Sequence, residues 1–198
     1  MGQYYKACVL KKNWKQAKNT IEVALSSYDF KNGAKLTEHS YIGNPYVRSV
    51  EHLLSDKFKG YPFVWCGDYA DKVEGAFGSH NIYDEAYEWL EKDNKNLLAK
   101  IPKVWDDKNV TPYDSIPYFK YLVNYTKKEY CVIPRHNKRV WKAHPLPLLT
   151  AFGNGRGGGD YYIEDERVGI WAFDRIGVTN NKDEILNFKK IDEFFELD

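Results

Sequence analysis

Tyr61-Pro62-Phe63-Val64-Trp65-Cys66, closed by Gly67-Asp68, is the run on which the fold turns. It is short, almost wholly apolar, and stopped by a turn pair. That pattern predicts a strand buried on both faces. Upstream, Gln3 to Leu10 is a second strand, rich in aromatic and branched residues. Thr20 to Leu25 alternates polar and apolar residues as a half-buried strand does, and the basic stretch Lys11 to Asn19 joins the two as a turn. Downstream, Phe119 to Tyr125 and Glu129 to Ile133 pair as a hairpin about Thr126-Lys127-Lys128.

Helices fill the intervals. Ile82 to Ala99 places Ile82, Ala86, Trp89, Leu90, Leu97 and Leu98 at helical spacing, with acids at the front and lysines at the back. That charge order suits the helix dipole. Ser49 to Phe58 reads as a shorter helix with Ser49 as its N-cap. Residues 183–198 are amphipathic and acidic, the pattern of a C-terminal capping helix. Val168 to Phe173 reads as a further strand or short helix, and the three prolines between Lys100 and Pro117 make that stretch a loop. No repeat or linker divides the chain. Residues 1–198 are therefore expected to form a single α+β domain, an antiparallel or mixed sheet with two or three helices.

Composition narrows the function classes. Hydrophobic residues make up 43% and aromatic residues 16%, too many for a disordered chain. Lys and Arg total 29 against 28 Asp and Glu, a net charge of +1 that indicates no general nucleic-acid field. Cys8, Cys66 and Cys131 each sit in an apolar run without CxxC or Cys/His spacing, so they read as buried reduced thiols. Met1 to Lys12 has no apolar core of a signal peptide, and no run approaches membrane-spanning length. A cytoplasmic protein that avoids the membrane is expected.

The candidate site is the stretch from Leu148 to Tyr162, in which five of the seven residues from 153 to 159 are glycine. The expected ligand-binding set is Gly153, Asn154, Gly155, Arg156, Gly157, Gly158, Gly159, Asp160 and Tyr161. Successive backbone N–H groups in such a run form an anion-binding concavity, to which Arg156 adds a bidentate donor. The run lacks the Lys-Ser/Thr of a P-loop and the strand-to-helix setting of a dinucleotide fingerprint. A plain connecting turn is the competing reading.

Two weaker sites compete. Asp68 and Asp71 flank a turn, and Asp68, Asp160 and Asp174 together offer the oxygen ligands that Mg²⁺ prefers. That set suits metal-assisted phosphoester cleavage. Against it, Asp68 also fits a turn or cap, and Asp174 an ion pair. His39, between Glu38 and Ser40, is a candidate general base, although no nucleophile elbow accompanies it. A hydrogen-bonded structural histidine is the simpler role.

Met1-Gly2-Gln3-Tyr4-Tyr5, Lys35 to Ser40, Trp65 to Asp71, Leu122 to Tyr130, Leu149 to Tyr161 and Trp171 to Ile176 carry a resemblance. In these patches the chain resembles a set of bacterial and phage proteins that open with MGQYY and carry a GNGRGGGD-type loop. Phe152 and Phe173 depart from that pattern, standing where polar residues are expected. The resemblance implies a phage or mobile-element setting and assigns no activity.

Three functions follow as expectations. The first is binding of a small anionic or nucleotide-like ligand, which in a phage would sequester a defence signal. The second is a Mg²⁺-dependent phosphoester hydrolase. The third is an inhibitor that docks on a host protein through exposed aromatic residues.

Overall fold

The structure, a computed structural model, describes residues 3–98, 118–135, 142–153 and 166–192. Four helices and ten strands lie in these residues. The strands are β1 (Tyr5–Leu10), β2 (Ile21–Ser26), β3 (Tyr61–Gly67), β4 (Val73–Gly75), β5 (Gly78–His80), β6 (Tyr121–Asn124), β7 (Glu129–Val132), β8 (Ala151–Phe152), β9 (Arg175–Thr179) and β10 (Lys189–Lys190). The helices are α1 (Leu36–His39), α2 (Pro45–Ser55), α3 (Ile82–Leu98) and α4 (Pro145–Leu149). This is an α+β fold.

The main sheet runs β10-β7-β6-β9-β3-β1-β2, and β4 and β5 form a separate hairpin. β3 lies inside the sheet, as its unbroken apolar run predicts, with Phe63, Val64 and Trp65 fully buried. One side of β3 pairs with β1. The other side is shared by two short strands: β9 pairs with Tyr61 and Pro62, and β8 with Trp65 and Cys66. β8 runs parallel to β3 and β10 parallel to β7, so the sheet is mixed.

Three helices sandwich the β1–β3 region. α2 and α4 cover one face, where Val47, Val50, Leu54, Leu146 and Leu149 join Ala7, Val9, Phe63 and Trp65 in the main core. α3 covers the other face, where Ile82 and Ala86 meet Cys8, Leu10, Val64 and Cys66. At about 25 cal/mol per Å² of apolar surface removed from water, each large core side chain contributes roughly 1.5–3 kcal/mol. All three cysteines are buried free thiols.

Several expectations need correction. α2 starts at Pro45, not at Ser49: the Asn44 side chain accepts from the N–H groups of Tyr46 and Val47, and Pro45 occupies the first helical position. Ser49 lies inside the helix, its hydroxyl donating to the Pro45 carbonyl. The single-turn helices α1 and α4 exceed the two or three helices expected. Residues 166–173 are turns, neither strand nor helix, because Trp171 and Val168 reach the core from irregular backbone. The expected helix over 183–198 is not formed by its described part. Lys182–Ile185 is a 3-10 turn and Lys189–Lys190 is β10. Residues 193–198 and the loop from Lys100 to Pro117 lie outside the described residues. No helix among the described residues is long and apolar enough to cross a membrane.

Candidate functional site

The glycine run leaves the sheet at the end of β8. Because β8 is parallel to β3, both strands end at the same edge, with Phe152 beside Cys66. The next residues are Gly153 and Gly67, and both abut Gln3 and Tyr5. A Cβ on Gly67 would lie 2.8 Å from the Gln3 side-chain oxygen. A Cβ on Gly153 would lie 2.5 Å from the Tyr5 hydroxyl and overlap the same Gln3 oxygen. A side chain at either position would have to displace the ends of Gln3 and Tyr5. Asn154, Gly155, Arg156, Gly157, Gly158, Gly159, Asp160 and Tyr161 lie outside the described residues.

The expected carboxylates stand apart. Asp68 closes β3 and clamps the start of β1: its carboxylate accepts from the Tyr4 N–H at 3.1 Å, and its own N–H donates to the Tyr4 carbonyl. Asp71 is exposed in the following turn. Asp174 sits at the opposite end of β3, where its carbonyl accepts from the Phe63 N–H. Its carboxylate accepts from the Asn124 amide at 2.8 Å and lies 3.6 Å from the Lys127 ammonium. Five residue steps along β3 lead from Phe63 to Asp68, about 16 Å at the usual rise. Asp68 and Asp174 therefore do not share one metal. Among the described residues no group of three His, Cys, Asp or Glu side chains is placed to hold an ion.

His39 is structural. It is fully buried at the end of α1, and both ring nitrogens are engaged. Nε2 accepts from the Trp65 indole N–H at 2.9 Å, so Nδ1 carries the proton and donates to the Gly33 carbonyl at 3.0 Å. Burial pushes its pKa down to about 4, so the ring stays neutral at pH 7 and has no lone pair free to act as a base. Phe152 and Phe173 are also packing residues. Phe173 stacks on Trp14 with centroids 5.3 Å apart and meets Phe152 edge to face at 4.8 Å.

On the α3 face of the same edge lies a feature that the sequence reading passed over. Lys6, Cys66 and Phe152 are consecutive cross-strand neighbours on β1, β3 and β8, so their side chains share a face. Lys6 is only 6% exposed. Its ammonium lies 3.1 Å from the Tyr83 ring centroid and 5.4 Å from that of Tyr87. These tyrosines stand one turn apart on α3. A groove of about 290 Å³ opens beside them, lined also by Tyr28, Ser26 and Asp29. Among the described residues Lys6 has no carboxylate within ion-pair distance. Burial lowers its pKa from 10.5 to about 8, against the opposing pull of Cys8, Cys66, Asp68 and Asp84. The two thiols move the other way: burial holds Cys8 well above its ordinary value and pushes Cys66 up to about 12. Both stay protonated and unreactive at neutral pH.

Two signals marked this groove in the sequence. A lysine interrupts an otherwise apolar strand, and two tyrosines fall at helical i, i+4 spacing. Neither signal says that strand and helix meet. No protein-family model, curated protein or solved structure matches the chain.

Proposed function

We propose that the protein binds a small anionic, nucleotide-like ligand at the sheet edge where the glycine run begins. One observation carries this reading. The parallel β3–β8 pair starts that run on the edge that also holds a tyrosine-lined groove with a buried cation. Ligands of open α/β sheets bind by the same logic, outside the carboxyl ends of parallel strands. In this reading the backbone N–H groups of the run and Arg156 take the anion. Tyr28 and Tyr87, 68% and 56% exposed, offer faces on which a planar base stacks. A phage setting would make the ligand a nucleotide signal that the protein sequesters.

The test is thermal stabilisation by a panel of mono-, di- and cyclic nucleotides, with inorganic pyrophosphate as the anion alone. A ligand at 100 times its Kd adds about 2.7 kcal/mol to stability. Absence of any shift at millimolar concentration rejects the reading.

A second reading has its own support. Tyr4 and Tyr69 flank Asp68 at 45% and 50% exposure, extending the tyrosine surface of this edge. Tyrosine is enriched where proteins meet. An inhibitor docking there on a host protein would lose affinity on Tyr28→Ser and Tyr69→Ser and ignore the nucleotide panel.

A further inference from the structure

We propose that Lys6 is a carbonyl-reactive amine, which forms an imine with an aromatic aldehyde or ketone held in the tyrosine-lined groove. The inference shares its groove with the anion reading and does not depend on it. Geometry supplies the first argument. Lys6 is buried, yet it lines an open groove and has aromatic rings where a lysine ordinarily finds a carboxylate. The two thiols beside it, Cys8 and Cys66, are buried and stay protonated.

Every element around the amine bears on its charge. Cys8 comes from its own strand, Cys66 and Asp68 from β3 and its turn, and Asp84 with Tyr83 and Tyr87 from α3. Tyr28, Asp29 and Glu91 stand around the groove. Burial prevails over the acidic groups and leaves the amine at about 8. About a quarter of Lys6 is then neutral at pH 7.5, against about one part in a thousand for an ordinary lysine. Lysines desolvated in this way are the ones that form Schiff bases.

The step balances without a co-reactant. The neutral amine attacks the carbonyl carbon, a C–N bond forms as the C=O π bond opens, and one of the nitrogen's two protons passes to the oxygen to give a carbinolamine. The nitrogen then gives its remaining proton to the hydroxyl, which leaves as water as the C=N bond forms. One amine and one carbonyl give one imine and one water. Tyr28 and Tyr87 would hold the ring of the ligand.

The full chain is incubated with pyridoxal or with pyridoxal 5′-phosphate across pH 6.5–9.5, trapped with borohydride, and mapped by peptide mass. The expected result is modification of Lys6 at least tenfold faster than the chain's other lysines at pH 7.5, rising with a midpoint near pH 8. Lys6→Arg should stay folded by circular dichroism and lose that modification. A wild-type map in which Lys6 labels no faster than the other lysines overturns the proposal, whatever the variant does. Selective labelling that is equal with and without the phosphate supports the imine and counts against anion capture. Stabilisation by pyrophosphate with no labelling of Lys6 supports anion capture and overturns the imine.

Discussion

Buried polar groups about the β1–β3 region are treated in two ways. On the α2 face three of them are held at fixed distances by protein partners. The Tyr46 hydroxyl donates to the Leu25 carbonyl and accepts from the Ala7 N–H, both at 2.8 Å. His39 is held between Trp65 and Gly33. His144, with Nδ1 accepting from the Leu146 N–H, presents Nε2 to the Glu51 carboxylate at 3.1 Å. On the α3 face Lys6 has rings for company and a groove beside it. A closed hydrogen-bond network specifies one arrangement and leaves nothing for a ligand. A cation left without a carboxylate keeps bonding capacity in reserve, and reserve capacity marks a site.

Four measurements test that contrast. The largest effect belongs to the closed face. His144→Ala leaves Glu51, 3% exposed, without its partner and should cost about 4 kcal/mol by denaturant unfolding. A loss below about 1 kcal/mol would mean that water reaches the dyad and that the face is not closed.

Acid comes next. His39 has a pKa of about 4 when folded and 6.5 when unfolded, so the unfolded chain binds the extra proton first. The stability it secures is complete above pH 6.5 and is lost as pH falls toward 4, roughly 3 kcal/mol in all. Its ring resonance, followed by NMR, should not titrate above pH 5.

Lys6→Met addresses the open face. The folded pKa lies below the unfolded one, so burying the amine costs stability fully below pH 8 and progressively less up to 10.5. The substitution should therefore add about 1 kcal/mol at pH 7, with the gain fading as pH approaches 10.5. A destabilised variant would show that the Tyr83 and Tyr87 faces outweigh burial.

The smallest effect on stability is that of Arg156→Ala, expected within about 0.5 kcal/mol without ligand, as for an exposed charge. Its affinity for an anionic ligand should nevertheless fall by roughly 1.5–3 kcal/mol. A several-degree fall in melting temperature without ligand would instead make Arg156 a structural pin.

How much of this was legible follows from range. β1, β2, β3 and the β6–β7 hairpin were readable because alternation, β-branching and turn residues are local. α3 was readable because its periodicity spans four turns. The start of α2 was readable too: Asn44-Pro45 is a cap followed by a proline, a stronger signal than Ser49. β8 and β10 have two residues each and no period, so only their partners define them. The candidate site divides in the same way. A glycine cluster is visible in the chain, but the value of Lys6 depends on tyrosines from a helix more than seventy residues away. Asp68 and Asp174 looked alike in sequence and separate because β3 carries them to opposite ends.

The placement of β8 has a consequence for how this protein can vary. Residues 154–165 depart from Gly153, and the chain is held again where the Gly169 and Trp171 N–H groups donate to the Leu148 and Leu149 carbonyls. Departure and return are thus fastened to the same short stretch of α4 and β8. Closing a longer excursion between fixed ends costs only about 0.6 kcal/mol for each doubling of its length. Insertions and deletions at this point leave the sheet undisturbed, so a dozen residues can be rewritten while the strand pairing on either side stays as it is.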